Sequence, residues 1–274
     1  MRNFEDDYLS LVSKVLGYGT FRESRAGATI SYFGTTLQID CLEQGLFPIL
    51  TQRQIRTAGV LGELAGFLRG ATKVAEFKYF GCNYWDANAA TWPPNKDVDK
   101  DELSVGKIYG YQWRRWGGTL DQVAMLLEGL RTNPVGRRHL LTTYNPAQLD
   151  EMCLPPCHLL AQYYVRADGH LDCVVYMRSV DLCLGLPSDI VLYATLLLIL
   201  CRETNYTPGK LTFMMGDTHV YQNHAEQFAV HKARALHKLP TFALAACTID
   251  DFIPSDLQLI NYQHSGVLTY AFNV

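Results

Sequence analysis

The chain lacks most of what would mark it for a membrane, a nucleic acid or a metal. No run reaches the roughly 18 to 20 consecutive apolar residues of a membrane helix, and "MRNFEDDYLS" has neither the basic start nor the apolar stretch of a signal peptide. We therefore expect a cytoplasmic protein with no membrane partner. A net charge of -3, with Lys and Arg scattered, excludes the strong basic excess of a surface built for DNA. No Gly-rich loop follows an early strand, as an S-adenosylmethionine-dependent DNA methylase would require. The eight cysteines form no CxxC pair, Cys153 and Cys157 being too far apart, and without a secretory signal they read as reduced thiols. His219 and His224 lack a convincing ligand partner, so no metal is expected. With no repeat, low-complexity tract or obvious linker, residues 1–274 read as a single domain.

What is present is ample core material, with 48% apolar and 19% charged residues. Helical periodicity runs through "FEDDYLSLVSKVLGYG", "IRTAGVLGELAGFLRG" and "TLDQVAMLLEGLRTNP", punctuated by Gly or Pro. Strand-like stretches are "ATISYFGTTLQID", "HLLTTYNP", "HLLAQYYVRADGHLDCVVYMRS" and "KLTFMMGDTHVY"; the third carries an Asp-Gly turn and predicts a hairpin. The mixture indicates an α+β fold, helices covering one face of a largely buried sheet. Residues 87–106, with prolines and a charge run, predict a long surface loop with the makings of a lid. "IVLYATLLLILC" reads as a buried helix, and Ser188 or Asp189, just after Pro187, as its N-terminal cap.

Several residues have chemical potential. Cys157 follows two prolines that stiffen the backbone, a good mount for a nucleophile. A thiol reacts as thiolate and needs positive charge nearby, which Arg178 supplies if the two strands pair across the hairpin. Arg25, Arg137, Arg138 and Arg178 sit beside turn-like or strand-like sequence, and converging guanidinium forks make good phosphate clamps. In "GDTHVYQNH", His219 and Tyr221 would share one face of a strand and present two hydrogen-bonding tips to one ligand.

Taken together, "SRAGATIS", "FPILTQR", "GELAGFLRG", "YWDAN", "YGYQWR", "NPVGRR", "YNP", "LPPCH", "MRSVDLCLGLP" and "GDTHVYQNH" resemble the thymidylate synthase family over nearly the whole chain. The resemblance implies a mixed sheet covered by helices, a homodimer formed through the sheet, and 5,10-methylenetetrahydrofolate as carbon donor to a pyrimidine nucleotide monophosphate. By position Cys157 matches the nucleophile that adds to carbon 6. Arg25, Arg178 and Ser179 match phosphate ligands, and Arg137 with Arg138 the pair reaching from the other subunit. Asp181 matches a residue at the base and nucleophile site, His219 and Tyr221 the groups on the sugar hydroxyl, and Glu63 the acid that manages protons through water. Trp85 and Tyr109 match walls around the folate and the reacting carbon; Arg53, Leu154 and Asp217 also fall at folate-side positions. Intact Cys157, Glu63, Tyr109 and Arg178 argue against a homologue kept only for binding. Thiolate addition at carbon 6 makes carbon 5 nucleophilic; a later hydride or water decides the product.

The chain departs from the family's pattern at four places. Arg53 stands where a lysine is usual, Met177 where a glutamine is, Tyr144 where a tryptophan is, and "PSD" at 187–189 where Pro-Phe-Asn is. That asparagine reads uracil, donating to oxygen 4 and accepting from the ring N–H. Cytosine inverts both demands, and a carboxyl group sharing a proton with ring nitrogen 3 meets them. Asp189 therefore points to dCMP. At this aspartate and in "VVYMRSVD" the chain is similar to the deoxycytidylate hydroxymethylases of phages that modify their DNA, which implies 5-hydroxymethyl-dCMP. "LPPCH", "YWDAN" and Val274 look more like a true synthase and keep open a dCMP methylase or, further off, a synthase acting on dUMP.

Overall fold

The computed structural model describes residues 3–24 and 26–273. In chain order the helices and strands are α1 (Phe4–Tyr18), β1 (Thr20–Ser24), β2 (Gly27–Ile39), α2 (Thr57–Leu68), α3 (Val74–Tyr79), α4 (Asp86–Thr91), α5 (Tyr109–Arg115) and α6 (Gln122–Thr132). There follow β3 (Leu140–Thr142), β4 (His158–Val165), β5 (His170–Asp181), α7 (Gly185–Thr204), β6 (Thr207–Tyr221), α8 (Ala225–Lys232), β7 (Thr241–Leu244) and β8 (Leu257–Ile260). The main sheet runs β1-β2-β6-β5-β4-β3, and β7 with β8 forms a separate ribbon.

Every pairing in the main sheet is antiparallel except β5 with β6. A parallel neighbour needs a crossover, and α7 supplies it. That explains its composition. By length and composition α7 is apolar enough to cross a membrane, yet 78% of the relevant stretch is buried inside the protein, packed on β5, β6, α2 and α6.

The expected cap on α7 is corrected. The helix begins at Gly185, so Ser188 and Asp189 lie within its first turns and neither caps it. The N-cap residue Leu184 makes no side-chain cap bond; Asp181 at the end of β5 closes the turn just before the helix, its Oδ1 accepting from the Cys183 N–H at 2.8 Å and the Leu184 N–H at 3.2 Å. Local composition favours Ser and Asp at helix starts. Here the helix starts earlier, directly after the turn that Asp181 closes, so both residues fall inside it.

The hairpin between β4 and β5 turns at Gly169, whose φ of 82° suits a residue without a Cβ. At the other end of β4 the register slips between His158 and Leu160, a bulge directly after Pro155-Pro156-Cys157. Such irregularities re-aim side chains beside functional sites. Residues 87–106 are not the long loop expected. They hold the end of α4 and two short 3₁₀ turns, fastened by Asn95, whose amide donates to Ala89 O and Ser104 O, both at 2.7 Å. One face of the main sheet carries α1 and α7. On the other, Leu160, Tyr176, Met214 and Thr36 form a row across four strands, with Tyr176 41% and Met214 46% exposed.

Candidate active site

Cys157 is half-buried at the start of β4, held by its backbone. Its N–H donates to the Tyr109 hydroxyl at 2.7 Å, and its C=O accepts from the Arg178 N–H at 2.9 Å. The cross-hairpin pairing therefore brings the arginine to the thiol as expected. Arg178 donates from Nε to Pro156 O at 2.7 Å and from one terminal nitrogen to Pro155 O at 2.8 Å, leaving that nitrogen 3.7 Å from the Cys157 sulfur. Burial pushes the thiol up from its ordinary value; the Arg178 charge opposes this and Asp189 reinforces it. The Arg178 guanidinium is thus already in place to stabilise a thiolate at this sulfur.

Deeper in, three acid-base groups meet from three elements. Asp189 on α7 brings Oδ1 to 3.0 Å from Nε2 of His158 on β4, both side chains largely buried. Burial alone would pull the His158 imidazole down, but the charge and hydrogen bond of Asp189, with the charge of Glu63, push it up overall. Glu63 on α2 keeps a small solvent-facing surface although protein encloses it. Burial first, then the Asp189 charge, pushes its carboxyl up to about 8, with His158 opposing. The His158 ring packs against Tyr109 and Tyr193 at centroid distances of 5.2 and 5.4 Å. His158 is the residue that sequence reasoning passed over. The only signal was its place beside Cys157, where it read as core surroundings.

The aromatic wall is also assembled. Trp85 is buried against Phe67, Phe77 and Tyr109, and its indole N–H faces the Glu63 carboxyl, partly offsetting the burial that pushes that carboxyl up. Leu154 is half-buried in the segment leading to Cys157.

At the end of the sheet, Ser179 pairs in register with Asp217 and Asp181 with His219. His219 and Tyr221 share a face, their rings edge-on at 5.2 Å. Asp217 is engaged within the protein: it meets Ser31 Oγ at 2.7 Å, Arg22 at 3.3 Å and His219 Nδ1 at 3.3 Å, and the His219 bond chiefly holds its carboxyl below the usual range. Arg137 and Arg138 are exposed in the turn after α6 and make no hydrogen bond or ion pair with any described residue. Arg25 lies outside the described residues, as does Val274. Arg53 is buried, donating to Cys183 O, rather than offered to solvent. Met177 is core, paired between His158 and Met215, and nothing in the structure explains Tyr144. Asp181, Cys183 and His224 bring potential ligand atoms within 4.8 Å of one another. The Asp181 oxygen nearest them serves two amides, and burial pushes the Cys183 thiol far up, so they make a poor cation site.

An α+β sheet bearing a thiol against a guanidinium, with a proton-holding acid cluster and an aromatic wall beside it, defines a centre for covalent catalysis on a small planar substrate. The family model for thymidylate synthase matches residues 6–274. A curated relative, the bifunctional dihydrofolate reductase-thymidylate synthase of Leishmania major, is 35% identical over 280 residues, which cover 95% of this chain and 54% of that protein. The chain thus spans about half the length of the curated relative it matches. It belongs to the thymidylate synthase family, whose members carry out folate-dependent methylation at carbon 5 of a pyrimidine nucleotide with methylenetetrahydrofolate as co-substrate.

Proposed function

We propose that the chain, acting as one catalytic domain over residues 1–274, transfers a one-carbon unit from 5,10-methylenetetrahydrofolate to carbon 5 of dCMP and gives 5-hydroxymethyl-dCMP. What supports this reading is the carboxyl of Asp189, which by the family pattern falls at the base-reading position, paired with His158 at 3.0 Å. An aspartate-imidazole pair holding an exchangeable proton meets cytosine's amino donor and ring acceptor together. Uracil would leave buried polar groups unpaired, each costing about 1 to 3 kcal/mol.

The residues divide the work. Cys157 adds to carbon 6, its negative charge stabilised by Arg178, while Tyr109 holds the nucleophile's backbone. Glu63, protonated up to about pH 8, handles protons near the base. Arg178, Ser179 and Arg25 are the phosphate ligands of one subunit, and Arg137 with Arg138 complete the clamp in the other. Their exposure without partners fits that role, and the open apolar row through Tyr176 and Met214 fits dimerisation through the sheet. His219 and Tyr221 take the sugar hydroxyl; Trp85, Leu154 and Asp217 form the folate side. The bound folate supplies the carbon at the oxidation level of formaldehyde. We further infer a phage DNA-modification role in the host cytoplasm.

The buried wall around Trp85 favours a second reading, a dCMP methylase, because a dry site suits hydride over water. Purified protein is incubated with labelled methylenetetrahydrofolate and either dCMP or dUMP, and the product mass and dihydrofolate absorbance are followed. Preference for dCMP with a hydroxymethyl product and no dihydrofolate is expected. A methyl product with dihydrofolate establishes the second reading, and preference for dUMP overturns both.

A further inference from the structure

Arg53 stands where the family pattern puts a lysine near the folate tail, but its surroundings are those of an interior residue. It is 6% exposed, with Cys183 and Tyr270 beside it at 0% and 4%. One terminal nitrogen donates to the Cys183 carbonyl, and the guanidinium carbon lies 5.1 Å from the centroid of the Tyr270 ring. No carboxylate among the described residues pairs with it, and its Nε is without a partner. A buried cation in this state is stabilised by what it does touch, a carbonyl dipole and an aromatic face.

Both contacts lead to functional elements. The Cys183 carbonyl belongs to the segment whose amides Asp181 caps, immediately before α7 and the helix turn that carries Asp189. Tyr270 belongs to the C-terminal segment, where its hydroxyl meets His231 Nδ1 at 3.0 Å and the next carbonyl, Ala271 O, meets His224 Nε2 at 2.7 Å. Arg53 itself is braced from the opposite side. Glu5 of α1, fully buried, accepts from the Thr51 and Gln52 amides at 2.8 and 2.9 Å, while Thr51 O and the Gln54 N–H bond Ser265 and Gly266 at 2.9 Å each. Glu5 thereby fixes the short segment from which Arg53 projects.

We propose that Arg53 is a positioning residue that ties the C-terminal segment to the start of α7, instead of serving chiefly as a ligand for the folate tail. An ammonium would do this poorly. Lysine offers a point charge on a flexible stem, whereas a planar guanidinium lies flat on the ring while its edge donates to the carbonyl. The chain's arginine at a lysine position is then a requirement of this joint.

The test compares R53K, Y270L and the double variant with the wild type. Amide hydrogen exchange is followed at 265–273 and at Cys183 and Leu184, and kinetics use whichever pyrimidine nucleotide the wild type turns over. R53K and Y270L are each expected to speed exchange at least tenfold in both places, with the double variant no worse than the worse single. The KM for the nucleotide should rise several-fold in R53K while kcat changes less than twofold, since Cys157 and Arg178 are held by other contacts. Unchanged exchange in R53K, independent effects of the two substitutions, or a rise confined to the KM for folate overturns the proposal. If R53K is not recovered folded, Y270L with the same readouts decides. Because exchange is read without turnover, failure of the dCMP assignment leaves this result interpretable.

Discussion

Asp189 Oδ1 and His158 Nε2 lie 3.0 Å apart, joining the second turn of the crossover helix to the residue next to the thiol. The contact gives the aspartate a side-chain partner inside the site and none of the duties of a cap. If the carboxyl reads the base, D189N exchanges an acceptor for an amide and reverses the pattern offered to the ring. We expect the ratio of kcat/KM for dCMP to that for dUMP to fall by on the order of 10- to 100-fold, the consequence of one or two unpaired buried groups. Steady-state assays with both nucleotides check it, and an unaltered ratio would remove Asp189 from base selection.

How much of this was legible in the sequence depended on whether a feature is local. The "RADGH" turn, the helices α1, α2 and α6 and the strands β2, β4, β5 and β6 are set by nearest neighbours and lie close to where their patterns put them, whereas α7 starts ahead of its apolar run. The thiol-arginine contact was reachable too, because one hairpin brings Cys157 and Arg178 together. The expected cap fails because α7 begins at Gly185, ahead of both Ser188 and Asp189, where its first turn packs in the interior. Residues 87–106 looked like a loop by composition, but the buried Asn95 side chain fastens them. His158 and Arg53 acquire their roles from residues 31 and 130 positions away in sequence, which no local pattern displays.

Arg178 should set the reactivity of Cys157. Its charge favours the thiolate against a burial that disfavours it, so removing the charge pushes the thiol further up. In R178M the pH profile for alkylation of Cys157 by iodoacetamide, followed by mass spectrometry of its peptide, should move to higher pH. A profile unmoved or moved downward would mean that the 3.7 Å contact has no electrostatic effect on the sulfur.

Glu63 predicts a pH signature in stability. Its folded value of about 8 lies above the ordinary 4.5, so the folded state holds this proton more tightly than the unfolded one. The stabilisation is complete below pH 4.5 and is lost as pH rises through about 8. Glutamine in its place has no proton to lose. The melting temperature of the wild type should therefore fall more than that of E63Q between pH 5 and 8.5, and parallel curves would place Glu63 in a wetter setting than its surroundings imply.

Asp181, proposed for the nucleophile site, also closes the turn before α7 as a cap-like acceptor, and two substitutions separate the two roles. D181A removes the acceptor of both the Cys183 and Leu184 amides, and loss of a cap costs about 0.5 to 2 kcal/mol. D181N keeps an oxygen where Oδ1 stands, so urea unfolding should find it closer to the wild type than D181A is. Any role of the negative charge at the nucleophile site is lost in both variants. A D181N protein that is stable but slow would therefore assign the cap to the oxygen and the chemistry to the charge. If D181A unfolds at the wild-type urea concentration, the two short contacts do not hold the start of α7, and the explanation for Ser188 and Asp189 lying inside the helix has to be sought elsewhere.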